Sequence, residues 1–257
     1  MVRTAGPLAA YPSPLAFRLR RVHRDDFARI LGLSALIPPA LAQGIANGTA
    51  SAALDAAEQG PQQFHEVLAT AHARGYSAAM NAVSSALVAT DAEGRHGILV
   101  AEPAVKAFRQ PGTFSGHSQL EILTLVFAAE ITTITVPAPS MMGAALLHAA
   151  ADLYSRAGFA ILYGTAPAHA EPFAPMPFRT AGAGMALCLD PAFLRQCVGL
   201  ATISPDPGTV IYYADLQGQA QADWEYPMAA LERERPTEHS ERPGVRTRHT
   251  PGLAFGS

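Results

Sequence analysis

The stretch from Glu130 to Thr165 constrains the fold of this chain more than any other. It opens with a β-branched run, Ile131 to Val136, and passes through a short Pro/Ser segment ending at Ser140. It then enters an alanine- and leucine-rich run that Gly158 stops just before a second apolar run, Phe159 to Tyr163. β-Branched residues suit strands, Ala and Leu suit helices, and a glycine just past a helical run is a common stop. The reading is strand, loop, helix of about four turns, strand: a βαβ unit, which places the chain in the α/β class. Such a loop aims free backbone N–H groups at one point with the positive helix end behind them, an arrangement suited to a phosphate or pyrophosphate. Val136, Ser140, Met141, Met142, Gly143 and Ala144 are the residues that would line that point. The same order is equally that of an ordinary βαβ joint, and Pro137 and Pro139 remove two possible donors.

At 257 residues, 49% of them apolar and 15% charged, the chain can bury a substantial core. A net charge of −3 leaves no nucleic-acid footprint. Arg18, Arg20, Arg21 and Arg24 cluster, but Asp25 and Asp26 follow directly, so the cluster reads as a solvated strand end. Two cysteines, Cys188 and Cys197, are too few for a disulfide framework. With no His-x-x-x-His or Cys-x-x-Cys spacing, no metal site is expected. The prolines near the N-terminus break any signal-peptide core, and no long apolar run suggests a membrane span. The expected setting is the cytoplasm.

Along the chain, residues 1–14 read as a flexible arm and Leu15 to Val22 as a strand with one wet face. Phe27, Ile30, Leu31 and Leu33 form a helical stripe that Pro38 and Pro39 end. Residues 40–85 carry two or three further helices punctuated by Gly60 and Pro61. Ala86 to Thr90 and Ile98 to Ala101, joined through Asp91 to Gly94, read as a hairpin. Leu120 to Phe127 is β-like, Met185 to Leu189 and Val210 to Tyr213 are late strands, and Pro191 to Leu200 is a short helix. The charged, Pro-rich segment 231–257 is too polar to order itself and reads as a disordered tail. The folded part is therefore expected within residues 15–230.

Three segments carry a resemblance to a known family: Phe17 to Leu31, Ala86 to Val100, and Glu130 to Tyr163. In this order they resemble the opening strand and helix, the second and third strands, and the cofactor-holding strand-loop-helix-strand of the GNAT superfamily of acyl-CoA-dependent N-acyltransferases. Pro172 to Arg179 is similar to that family's late helix and the step into its sixth strand. The resemblance implies a mixed central sheet flanked by helices, with extra helices here between the first helix and the second strand. It also implies acetyl-CoA or another acyl-CoA as co-substrate, with no permanently bound cofactor, and a small-molecule or peptide amine as acceptor. Branches of the fold that draw on acyl carrier protein make that a second possible donor. Of the family's loop pattern only Gly143 and the helix start have counterparts, and the tyrosine that many members use as an acid falls at Ala174.

Transfer of an acyl group to an amine needs a base for the attacking nitrogen, donors for the oxyanion and an acid for the departing thiolate. Glu130 and Glu121 are the carboxylates at the level of the central strands, and a carboxylate within a β-branched run is costly unless paired or used. Tyr163 closes the strand after the helix and could reach the thiolate side, or else pack its ring in the core. His117 and His169 lie in loops beside the same place. Two functions follow: an N-acyltransferase, or a catalytically inactive relative that binds a partner through the same cleft.

Overall fold

Strand-period and helix-period segments alternate along the computed structural model, which describes residues 17–104, 128–137, 141–168, 178–182, 184–189, 201–203, 205–217 and 225–227. Strand β1 (Phe17–Arg21) is followed by short helices α1 (Asp26–Arg29) and α2 (Leu33–Leu36), then α3 (Pro39–Ala46), α4 (Ala52–Ala56), α5 (Pro61–Ala73) and α6 (Tyr76–Val83). The hairpin β2 (Ser85–Asp91) and β3 (His96–Pro103) comes next, then β4 (Ala128–Thr135), α7 (Met142–Arg156) and β5 (Ile161–Pro167). Short strands β6 (Arg179–Thr180), β7 (Met185–Leu189), β8 (Ala201–Ile203), β9 (Thr209–Asp215) and β10 (Glu225–Pro227) follow.

The main sheet runs β1-β2-β3-β4-β5-β9-β6, and a second sheet runs β10-β7-β8. Neighbours in the main sheet pair antiparallel except β4 and β5, which are parallel because α7 carries the chain back between them. This is the mixed sheet flanked by helices, with helices inserted ahead of β2, that the resemblance implies.

Helices cover both faces, which is why β2 and β3 are buried almost throughout. On one face α4–α7 pack Leu54, Phe64, Leu68, Val83 and Leu146 onto Leu87, Leu99, Ala101 and Ile131. On the other, α1–α3 bring Ile30, Leu33 and Leu41 against Ala86, Val88, Ile98 and Val100. Each such large side chain contributes about 1.5–3 kcal/mol by leaving water. Tyr154 of α7 joins the layers: fully buried, its hydroxyl bonds the Val83 carbonyl at 3.0 Å and the Ala101 carbonyl at 2.9 Å.

The stop after α7 is a Schellman arrangement. Gly158 takes the left-handed region at φ 81°, the Phe159 N–H donates to the Tyr154 carbonyl and the Gly158 N–H to that of Ser155, both at 3.0 Å. Phe159 then packs edge-on against Tyr154 with centroids 4.9 Å apart. The helical stripe expected from Phe27 to Leu33 is instead two short helices. Gly32, at φ 79°, breaks it, and Leu31 is left fully exposed. Residues 40–85 form four helices and a 3₁₀ turn, one more helix than the upper expectation. Three of the four clustered arginines are ion-paired: Arg20 grips Asp26 at 2.5 and 2.7 Å, holding that carboxyl below its usual range, Arg21 pairs with Asp55 and Arg24 with Asp25. The arm at 1–14, the β-like 120–127, the 191–200 helix and the 231–257 tail lie outside the described residues.

Candidate functional site

β4 and β5 pair only from Ala128 opposite Ile161 to Ile131 opposite Gly164. Beyond that both strands continue, β4 to Thr135 and β5 to Pro167, without pairing to each other. The parting coincides with a β-bulge. Ala101 faces Ile131 while its neighbour Val100 faces Thr133, so Thr132 is the extra residue on β4. A bulge bends its strand and turns backbone groups away from the ladder. Thr132, Ile134 and Thr135 are accordingly exposed. The sheet thus opens into a gap at its middle, and α7 starts shortly after the end of the strand that borders it.

Directly paired residues share a face of the sheet. Glu102 faces Glu130, Glu130 faces Tyr163, Tyr163 faces Tyr213 and Tyr213 faces Arg179, so these side chains line one face in a row just inside the gap. The Tyr163 hydroxyl donates to Glu130 Oε2 at 3.2 Å. Burial, together with the Glu130 charge, pushes the Tyr163 hydroxyl far above its usual range and keeps it a donor. Burial and the facing Glu130 likewise raise the Glu102 carboxyl. Two carboxylates on adjacent strands, one held by a tyrosine, make a place that favours a proton or a cation.

On the opposite face Tyr212, paired with Gly164, leans over that glycine. A Cβ at residue 164 would collide with the Tyr212 hydroxyl and ring, so only glycine admits this approach. Phe178 flanks the Tyr212 ring at 6.1 Å between centroids. Burial first, then the Glu130 charge, raise the Tyr212 hydroxyl to about 12.

The helix end is less open than the sequence suggests. Met142, Gly143 and Ala144 are buried, and Met142 and Val136 both pack over Gly97 of the hairpin. Met141 is the exposed residue, 59% accessible, at a helix start with no side-chain cap. Any contact by Met142 to Ala144 with a bound group would therefore run through backbone. Glu130 and Tyr163 are brought together by the structure; Glu121, Ser140, His117, His169 and Ala174 lie outside the described residues. Sequence reading missed Glu102 and Tyr212. Glu102 carries the same signal as Glu130, a carboxylate ending a β-rich run, whereas Tyr212 in Val-Ile-Tyr-Tyr looks like plain core. Among the described residues no cluster could hold a metal ion, and no helix is long and apolar enough to cross a membrane.

The architecture is a mixed sheet whose parallel central pair parts beside a helix start, as the resemblance described above implies. Among solved structures the chain is similar to a provisionally assigned phosphinothricin N-acetyltransferase, with 14% identity and a TM-score of 0.36 over 77% of this chain and 98% of that one. It is also similar to yncA, a provisionally assigned acetyltransferase from Salmonella typhimurium solved with its cofactor acetyl-CoA, with 13% identity and a TM-score of 0.38 over 81% of this chain and 99% of that one. No protein-family model matches the chain, and no curated protein matches its sequence.

Proposed function

We propose that this chain is an N-acyltransferase that moves an acyl group from acyl-CoA, or from acyl carrier protein, to an amine. The observation that carries the reading is the Glu130–Tyr163 pair set just inside the point where β4 and β5 part. A thioester lying in the gap would present its carbonyl beside the edge of β4 from Thr132 to Thr135, which does not pair with β5, and Glu130 would take the proton from the attacking nitrogen. Tyr163 spends its O–H on Glu130, so in this reading it positions the base instead of reaching the thiolate. Glu102 adds negative charge that draws an ammonium acceptor toward the pair.

The inactive-relative reading would be favoured by methionines blocking the helix start. Met142 turns into the core over Gly97, which leaves Met141 alone at that end and supports the catalytic reading. A thermal-shift series with acetyl-CoA, CoA and acylated acyl carrier protein tests it. Saturating donor should raise Tm, by the equivalent of about 2.7 kcal/mol at a hundredfold excess over Kd, and no shift with any of the three would reject the reading.

A further inference from the structure

The helices inserted ahead of β2 enclose a hollow of about 470 Å³, none of whose lining residues belongs to the gap. Its walls come from α4, α5, α6 and the turn between α3 and α4. Toward the sheet the same helices fill space with Leu54, Phe64, Leu68 and Val83. In the hollow they present Ala52, Ala71, Ala78 and Ala82, one methyl each, so the space between them stays open. Its volume falls within the range of about 300–1,000 Å³ typical of small-molecule sites. Glu66, Thr70 and Arg74 follow at four-residue intervals along one side of α5 and form its exposed rim. The hydroxyls of Thr70 and of Thr49 on the facing wall are given to backbone carbonyls, that of Glu66 at 2.8 Å and that of Gly44 at 3.4 Å. Polar recognition is thereby left to the two charges. Gln62 donates to one Glu66 oxygen at 2.8 Å, and among the described residues Arg74 pairs with no carboxylate. Eight residues of helix set Glu66 and Arg74 about 12 Å apart along the axis, so the hollow carries a negative end and a positive end with an apolar floor between them.

We infer that this hollow binds a zwitterion whose ammonium and carboxylate stand at opposite ends of an apolar chain, as in an ω-aminoalkanoic acid. The ammonium meets Glu66, and the carboxylate meets Arg74, whose planar guanidinium suits bidentate binding of a carboxylate. Between them the alkyl chain covers the alanine floor and leaves water. A peptide of the same span would bring amide groups against walls whose hydroxyls are already given away, which costs binding. The site stands whether or not the gap transfers acyl groups.

The test is titration calorimetry on the full chain with ω-aminooctanoic acid, and with octanoic acid and octylamine, each of which lacks one charged end. The zwitterion should bind, and either single-ended probe should bind more weakly by about tenfold or more, as expected for the loss of a charged hydrogen bond. Arg74→Gln should bring the zwitterion down to the level of octylamine and leave octylamine unchanged. Glu66→Gln should likewise bring it down to the level of octanoic acid. Both residues are exposed on α5, so both variants should keep the wild-type Tm. Ala78→Leu fills the hollow and should remove binding of all three probes at an unchanged or raised Tm. No binding of the zwitterion to the wild type, or equal binding of the three probes, would overturn the assignment. So would zwitterion affinity within about twofold of wild type in the two charge variants, or binding that survives Ala78→Leu, since the probe would then sit elsewhere.

Discussion

Glu130 and Glu102 face each other across β3 and β4 with one tyrosine hydroxyl between the two strands' worth of negative charge and the rest of the row. Glu130→Gln keeps the size and the Tyr163 contact but removes the proton acceptor. Turnover should fall by about 10²–10⁴-fold with donor affinity little changed. The loss should shrink as pH rises, because the amine then deprotonates unaided; a pH-independent change of less than about threefold would mark Glu130 as a bystander. Glu102 gives a stability prediction with a definite sign. Its folded carboxyl titrates above the ordinary value, so the native state binds the proton more tightly than the unfolded chain. The group's contribution to stability is therefore complete at pH below the ordinary glutamate range and is lost as pH rises through the raised value. Glu102→Gln removes that loss: its Tm should exceed wild type at pH 7 and converge with it near pH 4, which melting curves across that range will show.

At the scale of single elements, α7 begins without a side-chain cap, and the residue at its N-cap is the exposed Met141. An aspartate there would accept from the free N–H groups of the first turn and oppose the positive helix end. Met141→Asp should raise stability by about 1 kcal/mol. If the helix end holds the phosphates of the donor, the same change should weaken acetyl-CoA binding, since it places a carboxylate against them. Stability up and affinity down, read by melting and calorimetry on one variant, is a pair that no general damage to the fold produces. Gly143, the loop glycine that the sequence singled out, is buried in the first helical turn. A bulky substitution there would test packing as much as binding, and Met141 is the cleaner probe.

Across the whole molecule, the inserted helices, the hairpin and α7 meet at Tyr154, whose hydroxyl bridges α6 and β3 through the Val83 and Ala101 carbonyls. Tyr154→Phe leaves those buried carbonyls short of a donor, at about 1–3 kcal/mol. For a chain of this size each kcal/mol moves Tm by roughly 2–4 °C. The expected outcome is a cooperative melt at lower temperature with acetyl-CoA affinity intact; an unchanged Tm would show that the bridge contributes nothing. Local patterning was enough to read the hairpin from Asp91 to Gly94, the α7 run with its Gly158 stop, and the strands on either side, because each depends on residues within one or two turns of one another. It also marked Glu130 and Tyr163, since a carboxylate in a β-branched run and a tyrosine at a strand end are visible without partners. Register was not legible. Which residue of β3 faces Glu130, where β4 bulges and where β5 lets go of it are set by pairings between segments far apart in the chain, and a shift of one residue would turn every side chain to the other face. The tip of Tyr212 over Gly164 is of the same kind. The sequence by itself determined the elements and their order; only tertiary packing decided which polar groups meet at the gap, because that choice is made by strand register and not by local preference.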